Sequence, residues 1–505
     1  MNCKKILYIT LISILTSVFV GCEDWLDVNS DPNNLSELSS PETLMPVAQL
    51  AIGNALMGWE MGFHGAFWSQ YWTQDHNSSQ FKFIDRYDED DFATTYTNLV
   101  PFALNDLKGM KERSEEGSGN YLVAEVLSIY TWQIVTDLWG DIPYFEALQG
   151  ENGTFSPKFD TQESIYNDLL SRIDALLAMD FSKAEINAKF DFIYGGEVRL
   201  WLAFAKSLKL KLMLRLSETS KYNNGDALVL ANSGGFITEN AMISGSIWEA
   251  KDGKRHPMLE FINAGYFDNI IASKTFLEYL IVNNDPRIGK LYLRTSDGFY
   301  IGSLQGDYAY TGDTDGDGII DSQEEYSLVD FNADTDIPLM STWEVDFYLA
   351  EVYARANDNV KAKQYYNAGV QASLAYWGIS GSITSAGEYA EWPNGTVEEN
   401  IKAIAMQKWV AYCKLQHIEA FFERNRTKYP SVNAAQIKTP ADREEIYANF
   451  PAGEFIISVA GLGKLSGNLP ASPTYPNDVI TRNTTKPSQK TSMGERVWWN
   501  QKAGK

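Results

Sequence analysis

Helix-length apolar repeats that come in pairs constrain this chain more than any other feature. Trp343 to Ala356 and Val360 to Tyr376 both carry apolar side chains at the 3.6-residue period, and only Asn357-Asp358-Asn359 separates them. Two helices on so short a turn must lie antiparallel and bury their facing stripes against each other. Thr161 to Leu177 repeats the pattern: Ile165, Leu169, Leu170, Ile173, Leu176 and Leu177 share one face, and Asp160 stands ready as N-cap. Leu50 to Trp72, Tyr96 to Met110, Tyr121 to Leu138, Val198 to Ser217 and Val397 to Phe422 read as further helices. Paired helices predict a mainly α fold, a tetratricopeptide-like helix-pair scaffold, although no clean repeat period runs through the chain. The scaffold occupies 47–220 and 340–430. Two irregular stretches, 223–338 and 434–505, are rich in loops, and such stretches inside a helical frame carry function.

The first residues set the compartment. Lys4 and Lys5 precede an apolar run from Ile6 to Val20, too short for a spanning helix and closed by Gly21-Cys22. Val18-Phe19-Val20-Gly21-Cys22 resembles a bacterial lipobox, with Phe19 where Leu is usual. The resemblance implies a signal peptide over 1–21 and a lipidated Cys22, with acyl chains holding the protein to a membrane. A plain secretory signal with a chance cysteine is the alternative. Residues 22–46, rich in Asn, Asp, Ser and Pro, form a tether. Cys3 leaves with the signal and Cys22 is acylated, so Cys413 has no partner. An exported chain without disulfides needs a large core, and 505 residues suffice for one.

The net charge of −24 argues against nucleic acid, whose phosphates require Lys and Arg. It is compatible with a neutral ligand such as a glycan. Aromatic side chains (14 Trp, 27 Tyr and 25 Phe) are numerous enough that some must sit on loops, where flat faces serve binding. Two clusters lie outside the helical cores: Phe81, Phe83 and Tyr87, and Phe299, Tyr300, Tyr308 and Tyr310. Rings in such loops either stack on sugars or pack the loop down. Trp68, Tyr71 and Trp72, at helical spacing, read as core.

Immediately after the second cluster, Asp313, Asp315, Asp317, Asp321 and Glu324 fall at positions 1, 3, 5, 9 and 12 of an EF-hand-type loop. Gly318 takes position 6, where the chain turns sharply, and Ile319 offers a backbone carbonyl at position 7. Five acids this close repel one another without a cation, and oxygen ligands favour Ca²⁺. The expectation is a structural calcium loop.

Enzyme motifs are absent from the sequence: it has no His-x-x-x-His pair on a helix and no Gly-x-Ser-x-Gly elbow. Gly461 to Gly467 lacks the Lys-Ser/Thr ending of a phosphate loop. A glycoside hydrolase stays open only because 66 acids always contain some suitably spaced pair.

Several segments resemble the SusD/RagB family. They are Asp137-Leu-Trp139-Gly-Asp141-Ile-Pro-Tyr144; Tyr194-Gly-Gly196 before Trp201, Ala205 and Arg215; Asn284-Asp-Pro-Arg287; Glu344, Leu349-Ala-Glu351 and Tyr365 to Val370; Gln407-Lys-Trp409; Glu423-Arg-Asn-Arg-Thr-Lys-Tyr-Pro430; and Val497-Trp-Trp499. Asn425 and Lys428 depart from the Arg and Gly common there. The resemblance spans 47–505 as one domain. It implies helix pairs supporting a loop-rich ligand-binding half, no catalysis, and attachment to the cell-surface side of the outer membrane. It further implies a SusC-like TonB-dependent transporter as partner and a nutrient ligand, a glycan or alternatively a peptide or protein. Trp139, Trp201 and Trp409 read as core rings of that scaffold.

Overall fold

Ser341 caps the helix that follows it. In the computed structural model its hydroxyl accepts from Glu344 N (3.2 Å) while the Glu344 carboxylate accepts from Ser341 N (3.4 Å), a reciprocal cap. The structure describes residues 40–251, 253–261, 269–307, 312–313, 318–319 and 324–504. The expected signal peptide, Cys22 and most of the expected tether lie outside them.

Eleven labels suffice for the helices that place the site: α1 Leu44–Leu56, α2 Asn105–Glu112, α3 Gly119–Trp139, α4 Gln162–Leu177, α5 Val198–Arg215, α6 Asn224–Asn232, α7 Lys274–Val282, α8 Thr342–Arg355, α9 Asn359–Tyr376, α10 Val397–Tyr412 and α11 His417–Thr427. Three short antiparallel ladders accompany them: β1 Trp72–Gln74 with β5 Ile270–Ala272, β2 Ile142–Pro143 with β3 Phe159–Asp160, and β4 Ala241–Ile243 with β6 Ile337–Met340. The fold is mainly helical, as the paired repeats predict. α8 and α9 pack face to face across the turn, where Asn357 adopts φ 59° and Asp358 caps α9 by accepting from Lys361 N at 3.1 Å. One apolar core runs from Met45 to Trp499 and contains Trp139, Trp201 and Trp409, together with Trp68, Tyr71 and Trp72.

Four expectations are corrected. Thr161, not Asp160, caps α4: its hydroxyl accepts from Ser164 N (3.2 Å), while the Asp160 carboxylate is taken by the Tyr144 and Phe145 amides (3.1 and 2.9 Å). The long helix expected over 397–422 is two helices. Cys413 turns extended and Lys414 takes φ 73°, because the buried His417 ring captures the freed Lys414 N–H on Nε2 (2.9 Å) and donates from Nδ1 to Gly62 O (2.9 Å). Burial holds this imidazole neutral, lowering its pKa to about 3. The helix expected over 50–72 stops at Leu56. Gly58 sits so close to the preceding turn that a Cβ there would lie 2.3 Å from Asn54 O, and a π-helical turn (Trp59–Phe63) follows before β1. Pro101, lacking an N–H, likewise widens Asn98–Leu104 into a π-helical turn ahead of α2. The segment 223–338 is also less irregular than expected, since it holds α6 and α7.

The scaffold closes on a buried ionic network. Arg215 donates from Nε to Asp137 (3.0 Å), from Nη1 to Glu423 (2.7 Å) and from Nη2 to Glu419. Lys211 bridges Glu344 (3.0 Å) and Glu419 (2.9 Å). Arg426 holds Glu351 (2.6 Å) and Glu423 (2.7 Å), Lys408 also reaches Glu423 (2.7 Å), and Arg355 adds to Glu351 (2.9 Å). Five cations thus meet five carboxylates from α3, α5, α8, α10 and α11. Removing either side of such a pair leaves a buried charge uncompensated.

Candidate ligand-binding cleft

The break at Gly58 has a consequence for the surface. It carries Trp59 out of the helix line into the wall of a cleft of about 400 Å³. Trp248 forms another part of that wall, and Asn54, Asn98, Arg255 and Glu260 line it too. Trp59 is braced from behind by Phe83 (ring centroids 5.3 Å apart) and by His64 (5.5 Å). Trp248 stands edge-on to His256 (5.8 Å), which in turn meets Phe331 (5.1 Å). Burial lowers the His256 pKa to about 3, so this support is neutral. The buried Trp248 indole N–H has no hydrogen-bond partner among the described residues. Arg255 and Glu260 face each other at 3.8 Å. Glu60 is committed elsewhere: its carboxylate accepts from the Thr94 and Thr95 amides (3.1 and 2.5 Å) and so fixes the start of the helical segment that presents Asn98. The cleft combines two partly buried indole faces with amide and charged side chains at the edge, the pattern that holds a sugar ring by stacking and orients it by hydrogen bonds.

The ring clusters expected from the sequence distribute differently. Phe81 and Tyr87 are core residues, each 4% exposed: Phe81 packs on Phe63 (5.0 Å) and Tyr87 accepts from Ser458 N (3.1 Å). As ligand-facing rings both are corrected, because the turn after β1 folds them inward. Phe83 reaches the cleft only through Trp59. Phe299 is 64% exposed on a loop that is firmly held. There, Arg294 lies over the Tyr300 ring (4.2 Å) and donates to Gly298 O (2.6 Å), and Ser296 N donates to Glu325 (2.7 Å). Tyr308 and Tyr310 lie outside the described residues. Trp59 and Trp248 went unread in the sequence, the first because it stands inside an apparent helix. The available signal was a glycine immediately before a tryptophan.

Of the loop expected to hold calcium, Asp313, Ile319 and Glu324 are among the described residues, whereas Asp315, Asp317 and Asp321 lie outside them. Gly318 adopts φ 93° and donates its N–H to Asp313 Oδ2 (2.9 Å), the tight turn that position 6 demands. Among the described residues no group of three or more candidate side chains is placed to hold a metal ion.

A buried polar hub ties the Phe299 segment to the scaffold. Asp85 accepts from Thr73 Oγ1 (2.8 Å), Gln74 N (3.2 Å) and Gln305 Nε2 (2.6 Å). Burial lifts its pKa to about 7, although these hydrogen bonds pull it down. A raised carboxyl keeps its proton in the fold where the unfolded chain has lost it. Its stabilising contribution is therefore complete below about pH 4 and lost as pH rises through about 7, by at most about 4 kcal/mol. Urea midpoints should show wild type losing ground relative to Asp85→Asn across that window. Parallel pH profiles for the two proteins would contradict the assignment.

The family model described as SusD-like, starch-binding and associating with the outer membrane, matches residues 32–450. Solved structures agree in fold. A chitin-binding protein superposes with TM-score 0.68 at 19% identity, covering 91% of this chain and 100% of its own. A SusD homologue from Bacteroides uniformis gives 0.68 at 20%, covering 91% and 99%, and one from Bacteroides thetaiotaomicron gives 0.66 at 19%, covering 92% and 100%. None of the curated proteins matches the chain.

Proposed function

The chain belongs to the SusD-like family, and from that premise we propose that it is a cell-surface lipoprotein that captures glycan and delivers it to a SusC-like TonB-dependent transporter. The observation that carries the ligand class is the cleft itself, two indoles flanked by Asn54, Asn98 and Arg255. That the family is described as starch-binding, and one structural neighbour as chitin-binding, supports a saccharide over a peptide. The protein binds without turnover. A glycosidase needs two free carboxylates astride the bond to be cut, whereas here Glu60 caps a helix and Glu260 faces Arg255. Attachment is through acylated Cys22. No helix among the described residues is long and apolar enough to cross a membrane, which fits a lipid anchor, and the mass of the mature N-terminus tests it.

Calcium belongs to this reading as a brace. Asp313, Asp315, Asp317, Asp321, Glu324 and the Ile319 carbonyl would hold the ion, and Glu325, next in the chain, accepts from Ser296 in the Phe299 loop. A cation that pins 313–324 therefore also pins that loop. The test is a glycan and peptide panel on the signal-free protein, with calcium and with chelator, read for both binding and product. The expected result is a glycan hit without product. Calcium at a hundredfold excess over its Kd should add about 2.7 kcal/mol of stability, and Asp313→Ala should abolish that gain. Product formation would sink the binding-only reading, and a melting curve indifferent to calcium would sink the metal.

A further inference from the structure

The face that leads out of the Trp59–Trp248 cleft along α1 is apolar and exposed. Leu50 and Asn54 of α1 line the cleft, and so does Asn98, the first residue of the π-helical turn Asn98–Leu104. That turn runs straight on into α2. The two paths are antiparallel. Asn98 shares the cleft with Asn54 near the end of α1, whereas Gly109 of α2 lies against the start of α1, with Leu44 Cδ1 3.5 Å from the position a Cβ would take. This register places Phe102 beside Leu50 and Ala51, with Val47 one turn beyond. Helical spacing turns the same side chains toward the cleft: Val47, Leu50 and Asn54 stand three and four residues apart, and Asn98 and Phe102 four apart.

The core does not use these two apolar residues. Other positions serve it: Ala48 and Ile52 of α1, and Leu99 and Ala103 of the turn, are fully buried, whereas Val47 and Phe102 are 52% and 53% exposed. Exposed apolar residues scattered singly need no explanation, but two that share one face and continue the wall of a cleft do. No charged side chain interrupts 47–54 or 98–102, on a chain of net charge −24, so the strip suits a neutral guest. Asn54 to Val47 covers about 10 Å of helix at about 1.5 Å per residue, room for further units of a linear chain. The Phe102 ring can take the apolar face of one of them. Resting on the glycan reading of the cleft, we propose that Phe102 and Val47 form a further subsite, so that the protein holds a neutral glycan lengthwise along α1 rather than by one end.

Titration calorimetry of the signal-free protein tests this with maltotriose and maltohexaose, and with chitotriose and chitohexaose. The quantity to compare is the ratio of hexasaccharide to trisaccharide affinity, wild type against Phe102→Ala with Val47→Gln. Comparing ratios cancels the extra registers that a longer chain offers any site. In the series that binds, the wild-type ratio should be about fivefold larger, the gain of one more ring contact, with the trisaccharide affinity unchanged. Both positions are half exposed, so the double variant should fold as wild type does. Phe102→Tyr keeps a ring and should keep the ratio, while Trp248→Ala should weaken both lengths. Equal ratios in wild type and double variant, or loss of the trisaccharide in that variant, would each overturn the subsite and leave the cleft reading standing. Binding of neither series at either length would overturn both.

Discussion

Replacing Arg215 by methionine should leave most of the protein unfolded at neutral pH, measured as loss of the cooperative urea transition and of a monodisperse elution profile. The side chain is 1% exposed and neutralises Asp137, Glu419 and Glu423 together, with its guanidinium over the Phe422 and Trp499 rings at 5.4 and 5.3 Å. Methionine fills much of the same volume, so the cost is electrostatic: three buried carboxylates lose a shared partner. Breaking one such pair costs about 3–5 kcal/mol, against a total stability of about 5–15 kcal/mol. Lys209→Met is the control. Its partner Asp174 is 56% exposed, and a pair of that kind contributes below about 1 kcal/mol. The pH dependence has a definite sign. Burial pushes Glu351 up, but Arg426 and Arg355 outweigh it and hold its pKa down to about 2. The Glu351 pairs therefore stabilise above the usual carboxylate range and are lost as pH falls through about 2, whereas burial raises Asp137 despite Arg215. Without Arg215 the orphaned carboxylates gain by taking protons, so the variant's deficit should narrow toward about pH 4. A variant within about 1 kcal/mol of wild type at pH 7 would show that the network is dispensable.

This network also shows what the sequence could and could not tell. The segments that resemble the SusD/RagB family are each unremarkable as strings, yet Asp137, Arg215, Glu344, Glu351, Lys408, Glu423, Arg426 and Trp499 meet inside one volume. Asp137 alone accepts from Tyr166, Arg215 and the Trp499 indole. They are scaffold residues, which is why the fold was legible: caps and apolar periods are local, and the charges that recur among them converge. Interruptions were less legible. Gly58, Pro101 and Cys413-Lys414 break helices whose apolar pattern continues across them, and only tertiary partners such as the His417 ring decide where the break falls. The cleft was least legible, because it gathers residues 54–60, 94–98 and 248–260 from three distant stretches. Its tryptophans belong to no local pattern, and the aromatic clusters that looked like loop surface include Phe81 and Tyr87, which a turn folds into the core.

Converting both Trp59 and Trp248 to alanine should abolish measurable glycan binding. Each ring provides a flat apolar face that is already partly buried and held by neighbours, so little conformational freedom remains to be lost on binding. Aromatic residues in such positions act as hot spots whose truncation costs about 2 kcal/mol or more, and two together weaken binding by about a thousandfold. Under the proposed function the cargo must be released to a transporter, so binding starts from modest affinity and a loss of that size removes the signal. Trp59 also packs on Phe83 and His64, and its truncation opens a cavity; Trp248→Phe is therefore the cleaner single change. It keeps a ring but removes the indole N–H that has no partner among the described residues. That N–H is buried away from solvent and so out of reach of a ligand in the cleft, and Trp248→Phe should therefore weaken binding only by what the smaller ring loses in stacking area. Phe299→Ala is the opposing test. Its ring is exposed but belongs to the loop held by Arg294 and Glu325 rather than to the cleft wall, so its effect should be smaller than that of either tryptophan. If Phe299→Ala removes binding while the double tryptophan variant retains it, the sugar lies on the loop and the cleft has another occupant.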